Sequence, residues 1–123
     1  YSGTTALVAL YRDDNLWIAN AGDSRAVLGT EIVEASARRS SAEGQASGPA
    51  STVSFLSDDH NPDRPGELER IESCGGFVSP PPEAGLSARV WLDKELTRIG
   101  LAMSRSIGDH AVKEVGVIAT PEV

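Results

Sequence analysis

The chain has 123 residues, 40% hydrophobic and 24% charged, which is the composition of a soluble globular domain with room for one modest core. Eleven basic against eighteen acidic side chains give a net charge of −7, which opposes binding to nucleic acid or an anionic membrane. The single cysteine, Cys74, excludes an internal disulfide and a cysteine-based zinc cluster.

Three apolar segments open the chain. Residues 4–11 and 16–21 are rich in β-prone side chains and flank a polar turn at 12–15, which predicts a β-hairpin. The sequence Gly-Asp-Ser at residues 22–24 then predicts a second tight reversal, into a third antiparallel strand at 25–28. Because the second segment is apolar at consecutive positions, we expect both of its faces to be covered.

Residues 31–52 consist mainly of Ala, Ser, Glu and Gly and contain almost no large apolar side chains. Burial there cannot offset the entropy lost on ordering. We interpret this stretch as a disordered insertion within a hairpin whose second strand restarts at Val53.

A short amphipathic helix is predicted over residues 66–74, because Leu68, Ile71 and Cys74 recur on one side and Gly75 can end it. The elements predicted after it are a strand at 77–78, a loop at 79–87, a strand pair at 88–92 and 99–103, a helical turn within 104–115 and a strand at 116–119. This succession predicts layered antiparallel sheets.

Six short blocks carry the strongest signal. They are SGTT at residues 2–5, NAGDSRAVL at 20–28, LSDDHNP at 56–62, ERIESCGGFV at 69–78, GLAMSRSIGD at 100–109 and TPEV at 120–123. In this order and spacing they resemble consecutive motifs of the PPM (type 2C) metal-dependent serine/threonine protein phosphatases. The resemblance spans nearly everything outside the insertion, so residues 1–123 are interpreted as the central part of such a catalytic domain.

The resemblance implies an α+β fold, an α-β-β-α sandwich of two antiparallel sheets with flanking helices. It also implies two or more Mg²⁺ or Mn²⁺ ions per complete domain, which activate a water for hydrolysis of phosphoserine and phosphothreonine. A phosphoprotein is then the expected partner, with no nucleic acid or membrane, and the parent is expected to be monomeric. The lone cysteine fits an intracellular location, cytoplasmic or nuclear.

Asp23 is the candidate metal ligand. A turn between two strands places its carboxylate at a sheet edge, and the resemblance implies that this aspartate lies beside the metal cluster. The alternative is an aspartate that caps the turn by bonding its own backbone. Gly22 and Ser24 are assigned structural roles in the same turn, Gly22 because the turn geometry requires a glycine.

Arg25, Arg105 and Asp109 are also assigned structural roles near the site. Arg25 enters a strand beside carboxylates, so we expect an ion pair rather than contact with substrate phosphate. The resemblance implies that Asp109 pins the local backbone by hydrogen bonds, and Arg105 is expected to act with it.

The resemblance places Asp58, Asp59 and His60 in a flap that helps to select substrates. Two simpler interpretations stand beside it: the acidic pair as a solvated turn, and His60 as a loop or surface histidine. His110 is interpreted in the same way as His60, because neither has a partner at metal-ligand spacing.

The chain begins with Tyr1 and stops at Val123 within a predicted strand, so we expect an internal piece of a longer protein. The family's DGHGG-type block, with its metal aspartate and proposed acid histidine, precedes SGTT, and its DG-x-W-D block follows PEV. We therefore expect no catalytic residue within residues 1–123 and no hydrolysis by them alone. The alternative to an active parent is a catalytically dead PPM-like module that binds a partner protein.

Overall fold

The computed structural model describes residues 2–31 and 51–123. Eight strands, one α-helix and one 3₁₀-helix lie within them. In chain order these are β1 (Gly3–Thr4), β2 (Ala6–Arg12), β3 (Asn15–Ala21), β4 (Val27–Glu31), β5 (Ser51–Phe55), α1 (Pro65–Ser73), β6 (Phe77–Ser79), β7 (Arg89–Trp91), β8 (Ile107–Gly108) and the 3₁₀-helix (His110–Val115). The architecture is α+β, as predicted, and the strands form four antiparallel pairs.

The predicted first hairpin is confirmed. Strands β2 and β3 pair from Ala6 opposite Ala21 to Arg12 opposite Asn15. Asp13 and Asp14 form the turn with φ of 50° and 59°, values that match the right-handed twist of a hairpin. The hairpin delivers the chain directly into Gly22 and Asp23.

The predicted tight reversal from β3 into β4 is wrong. Strand β4 pairs with β5 instead, with Val27 opposite Phe55. The place beside β3 is taken by the end of the chain, because the backbones of Asn20 and Glu122 exchange two hydrogen bonds of 2.9 Å. A local pattern cannot specify such a distant partner.

The predicted insertion, residues 31–52, lies in the β4–β5 hairpin. Its ends overlap the paired strands, because Glu31 is opposite Ser51 and Thr30 is opposite Thr52. The remainder of the insertion lies outside the described residues.

The predicted helix is confirmed as α1. Pro65 occupies its first turn, where the missing N–H costs nothing, and Gly75 follows its end with φ of 82°. The buried side chains are those of Ile71 and Glu67, whereas Cys74 is exposed, so the expectation that Cys74 faces the core is wrong.

A small apolar core lies against α1. The buried members are Ile71, Val90, Val112, Val115 and Val117, with Val78, Leu92 and Leu101 packed against them. Strand β7 pairs mainly with β6, and the strand pair predicted over 88–92 and 99–103 is reduced to a bridge between Val90 and Leu101. The strand predicted at 116–119 is likewise a single bridge, between Arg105 and Ile118.

Strands β3 and β5 expose large apolar side chains, and in β3 they lie on both faces, because consecutive strand residues point to opposite sides. Leu16 and Trp17 are each 44% exposed, and Phe55 on β5 is 70% exposed. The expectation that β3 is covered on both faces is therefore not met by this chain alone. In the described part of the chain, no helix has the length and apolar character needed to cross a bilayer.

Candidate functional site

Asp23 lies in the turn that follows β3. The residue before it, at position 22, has to be glycine. Gly22 has φ of 121°, and a Cβ on it would collide with the side chain of Thr5. The Thr5 hydroxyl in turn shares a hydrogen bond of 2.8 Å with the hydroxyl of Ser24. Thr5, Gly22 and Ser24 therefore shape the turn that carries Asp23.

Asp23 is half-buried. The residues on either side of it form hydrogen bonds: the Gly22 backbone bonds to His60, and the Arg25 guanidinium bonds to Asp59. Among the described residues no hydrogen bond to the Asp23 side chain occurs, so the backbone-capping interpretation has no bond to support it. Its two oxygens are available to an outside partner.

His60 lies in a loop, as one of the interpretations has it, but it is buried, with 0% of its surface exposed, so the alternative of a surface histidine is wrong. Its Nδ1 lies 3.1 Å from the Gly22 nitrogen, and its own backbone N–H donates to the Gly22 carbonyl at 3.0 Å. Asn20 adds a second bond to that carbonyl at 3.1 Å. His60 thus contacts the turn from inside the molecule and is not placed to meet substrate.

Arg25 and Asp59 form the ion pair expected of Arg25. Nε and Nη2 of Arg25 lie 2.7 and 2.6 Å from the two Asp59 oxygens, a bidentate arrangement. The hydrogen bonds and charge of Arg25 hold the pKa of Asp59 below its usual range. Asp59 is therefore not part of a solvated turn, whereas the neighbouring Asp58 side chain is 79% exposed.

A buried carboxylate joins the site to helix α1. Glu67 is 3% exposed and accepts three sets of hydrogen bonds, from Arg70 at 2.6 Å, Arg105 at 2.7 Å and Ser104 at 2.5 Å. Burial alone would raise the pKa of Glu67, but these hydrogen bonds outweigh it and hold the pKa far below the ordinary range. Ser104 also donates its N–H to the His60 carbonyl at 2.8 Å, which connects Glu67 to the Asp23 turn.

Glu122 completes the network from the far end of the chain. Its carboxylate accepts hydrogen bonds from Arg64 at 2.9 Å and from Arg105 at 3.1 Å. Its Oε2 lies 3.4 Å from Nε2 of His60. Partial burial raises the pKa of Glu122, but the positive charges of Arg64 and Arg105 outweigh this effect and hold that pKa below its usual range. Arg105, expected to be structural, is the residue that both carboxylates share.

Asp109 lies apart from this network. Its backbone is left-handed, with φ of 47°, and its N–H donates to the Ser2 carbonyl at 2.9 Å. Its carboxylate packs against Gly3, where a Cβ would collide with it. Asp109 therefore joins β8 to the start of the chain through its backbone, and His110, the next residue, is exposed.

The network has members that sequence reasoning missed. The sequence motifs assign no role to Glu67, and Glu122 appears among them only as part of the TPEV block. The available signal was Arg105: an arginine inside an otherwise small, buried SRS segment requires a carboxylate partner. Nothing in the local pattern identified which carboxylate it was.

The described residues do not form a metal site by themselves. Within residues 2–31 and 51–123, no group of three or more His, Cys, Asp or Glu side chains is arranged to hold a metal ion. Asp23 therefore offers one oxygen donor group, and further ligands would have to come from elsewhere.

The family model described as protein phosphatase 2C matches residues 1–123. The chain belongs to the protein phosphatase 2C family. It is 43% identical over its full length to "Probable protein phosphatase 2C 72" of Arabidopsis thaliana, covering 33% of that protein. It is 39% identical to "Probable protein phosphatase 2C 64" of Oryza sativa subsp. japonica over 98% of the chain and 25% of that protein.

The fold is that of the same family. A crystal structure of serine-threonine phosphatase 2C from Toxoplasma gondii matches 96% of this chain and 35% of its own length, with a TM-score of 0.71 at 23% identity. This likeness agrees with the predicted α+β sandwich. The chain spans a third or less of the length of the two plant relatives and 35% of the Toxoplasma gondii structure.

Proposed function

We propose that the complete protein containing this chain is a metal-dependent protein phosphatase that hydrolyses phosphoserine and phosphothreonine in other proteins. The observation that carries the proposal is the Asp23 turn. In a chain of the 2C family it presents a half-buried carboxylate whose oxygens are not engaged by the described residues. Residues 1–123 contribute one wall of the site and are inactive alone.

The donor chemistry fits Mg²⁺ or Mn²⁺. A carboxylate is the hard oxygen ligand that these ions prefer, and a turn fixed by Gly22 and His60 holds it in one place. Two or more such ions in the complete domain would supply charge neutralisation and a water of lowered pKa. With a net charge of −7, the chain itself repels phosphate, so cations are also needed for substrate to approach.

Other residues of this chain hold the turn around Asp23 in place and take no part in the reaction. Asp59 holds the Arg25 guanidinium, and Ser24 braces the turn through Thr5. Of the three residues predicted for a substrate-selecting flap, Asp59 is tightly paired and His60 is buried. Asp58 lies 3.8 Å from Arg64 but is 79% exposed, so Asp58 is the proposed contact with a phosphoprotein. A monomeric, intracellular parent that binds neither nucleic acid nor membrane remains part of this proposal.

The test is phosphate release from a phosphothreonine peptide by the complete protein, with Mn²⁺ and with EDTA. We expect release only with Mn²⁺, and an Asp23→Asn variant should require at least about tenfold more Mn²⁺ for half-maximal rate. Asp13→Asn is the matched control, because Asp13 is an exposed turn aspartate at the other end of β3 and should behave as wild type.

Two results would contradict the proposal. A folded wild-type protein that releases no phosphate would favour a binding module. An Asp23→Asn variant with the Mn²⁺ requirement of Asp13→Asn would remove Asp23 from the metal site.

A further inference from the structure

The glycine required at position 22 makes the backbone next to the proposed metal ligand Asp23 flexible. Contact with Thr5 leaves no space for a side chain at position 22, so the residue before Asp23 must be glycine. Glycine is the residue with the greatest backbone freedom. Rotation about its bonds would move the Asp23 carboxylate, so something else has to hold this backbone still.

Both backbone polar groups of Gly22 are bonded to His60. The Gly22 carbonyl accepts the His60 N–H at 3.0 Å and the Asn20 side-chain amide at 3.1 Å, and these bonds occupy its two lone pairs. Nδ1 of His60 lies 3.0 Å from the same oxygen and 3.1 Å from the Gly22 nitrogen. The buried Gly22 N–H can only donate, and Nδ1 is its acceptor among the described residues, so Nδ1 accepts this hydrogen bond.

Glu122 selects the tautomer that this bond needs. Its Oε2 lies 3.4 Å from Nε2 of His60, which has no well-aligned hydrogen-bond partner among the described residues. A proton on Nε2 is attracted by the carboxylate, whereas a lone pair there would be repelled. The proton therefore resides on Nε2, and Nδ1 is left free to accept from Gly22.

His60 is itself held firmly. Its carbonyl accepts the Ser104 N–H at 2.8 Å, and the Ser104 hydroxyl donates to Glu67 at 2.5 Å. With no exposed surface, its ring has no room to change orientation without disturbing its neighbours.

We propose that His60 is the positioning residue for Asp23: it fixes the peptide planes on both sides of Gly22, through Nδ1 on one side and its own N–H on the other. This inference rests on the proposed metal role of Asp23. His60 touches neither metal nor substrate in this scheme. The Glu122 carboxylate acts on the turn through His60, and the Glu122 backbone supports it separately through its two hydrogen bonds to Asn20.

The test uses two substitutions in the complete protein that each keep one half of the imidazole. His60→Asn places an amide oxygen at the δ position, where it can still accept the Gly22 N–H. His60→Gln extends its amide to the ε position, facing Glu122, and loses the bond to Gly22. Both variants leave unfilled space in a buried site, so both should lower the melting temperature.

The discriminating readout is Mn²⁺ affinity measured by calorimetry without substrate. We expect His60→Asn to stay within a few-fold of wild type and His60→Gln to bind Mn²⁺ about tenfold or more weakly. Equal Mn²⁺ affinities for the two variants would overturn the inference and leave His60 a purely structural residue.

A second measurement covers the case in which a variant does not fold. Nitrogen-15 NMR of the wild-type protein should show His60 with its proton on Nε2, and a proton on Nδ1 would overturn the inference. Failure of the proposed function is distinguishable, since it appears as wild-type protein that releases no phosphate with Mn²⁺.

Discussion

Arg105 reaches Glu67 across 38 positions of sequence, with Nη2 2.7 Å from Oε1 and both side chains buried. The same guanidinium donates to the Thr120 carbonyl at 2.9 Å and to Glu122 at 3.1 Å. One arginine thus joins helix α1 to the last residues of the chain. Its pKa is raised above its ordinary value, chiefly by its hydrogen bonds to Glu67, so it stays charged at any pH at which the protein is folded.

Removing Glu67 should destabilise the complete protein strongly. Glu67→Ala leaves the buried Arg105 with Glu122 as its remaining carboxylate and removes the carboxylate partner of Arg70, so the free energy of unfolding should fall by about 3 kcal/mol. Glu69→Ala on the same helix is the control: Glu69 is exposed, and its replacement should change the free energy by no more than about 0.5 kcal/mol. Urea denaturation measures both, and similar losses would contradict the central role of Glu67.

Acid should weaken the fold through the same carboxylate. The pKa of Glu67 is lower in the folded protein than in the unfolded chain, and so is the pKa of Glu122. The unfolded chain therefore binds more protons, and stability is fully present above the ordinary glutamate pKa of about 4.3 and is lost as pH falls below it. Urea midpoints between pH 7 and pH 3 should show this decline, and Glu67→Gln should show a shallower one. An unchanged slope in that variant would assign the acid sensitivity to other groups.

Gly3 and Gly66 should respond to alanine in opposite directions. A Cβ on Gly3 would collide with the Asp109 carboxylate, whose backbone is tied to Ser2, so Gly3→Ala should cost about 1–3 kcal/mol. A Cβ on Gly66 would meet nothing within 4 Å, and Gly66→Ala in α1 should stabilise by about 0.4–1 kcal/mol. Thermal unfolding of the complete protein measures both. Adding Asp109→Ala to Gly3→Ala should recover part of the loss, and no recovery would place the strain elsewhere.

Residues 1–123 in isolation should associate. Strands β2 and β5 expose large apolar side chains, with Leu10 56% exposed, Val8 60% and Phe55 70%. Large exposed apolar patches favour association between chains, and unpaired strand edges favour it further. Sedimentation of the isolated chain should show concentration-dependent oligomers, whereas the complete protein should sediment as a monomer. Cooperative unfolding of an isolated monomer would contradict this expectation.

Local chemistry was enough to predict several elements correctly. The β2–β3 hairpin follows from two β-prone runs around a polar turn, and α1 follows from the spacing of Leu68 and Ile71 on one face and from Gly75 at its end. The family was also predictable, because six blocks in a fixed order are specific even when each alone is not. Each of these signals lies within a few residues of the structure it describes.

Partner choice over long distances was not predictable in the same way. The β3–β4 reversal was wrong because Glu122, from the other end of the chain, pairs with the backbone of Asn20 in β3. The surface position expected for His60 was wrong because its partners lie 38 and 62 positions away, at Gly22 and Glu122. Whether a polar side chain is solvated or buried depends on what the fold brings against it.

The sequence was therefore sufficient for the family, the α+β class and the turn that presents Asp23, all of which depend on short-range pattern and order. Only the tertiary structure decided that His60 forms hydrogen bonds with this turn and that Arg105 bonds both Glu67 and Glu122. The physical reason is that a buried polar group must find its partners wherever the folded chain places them, and those places are distant in sequence.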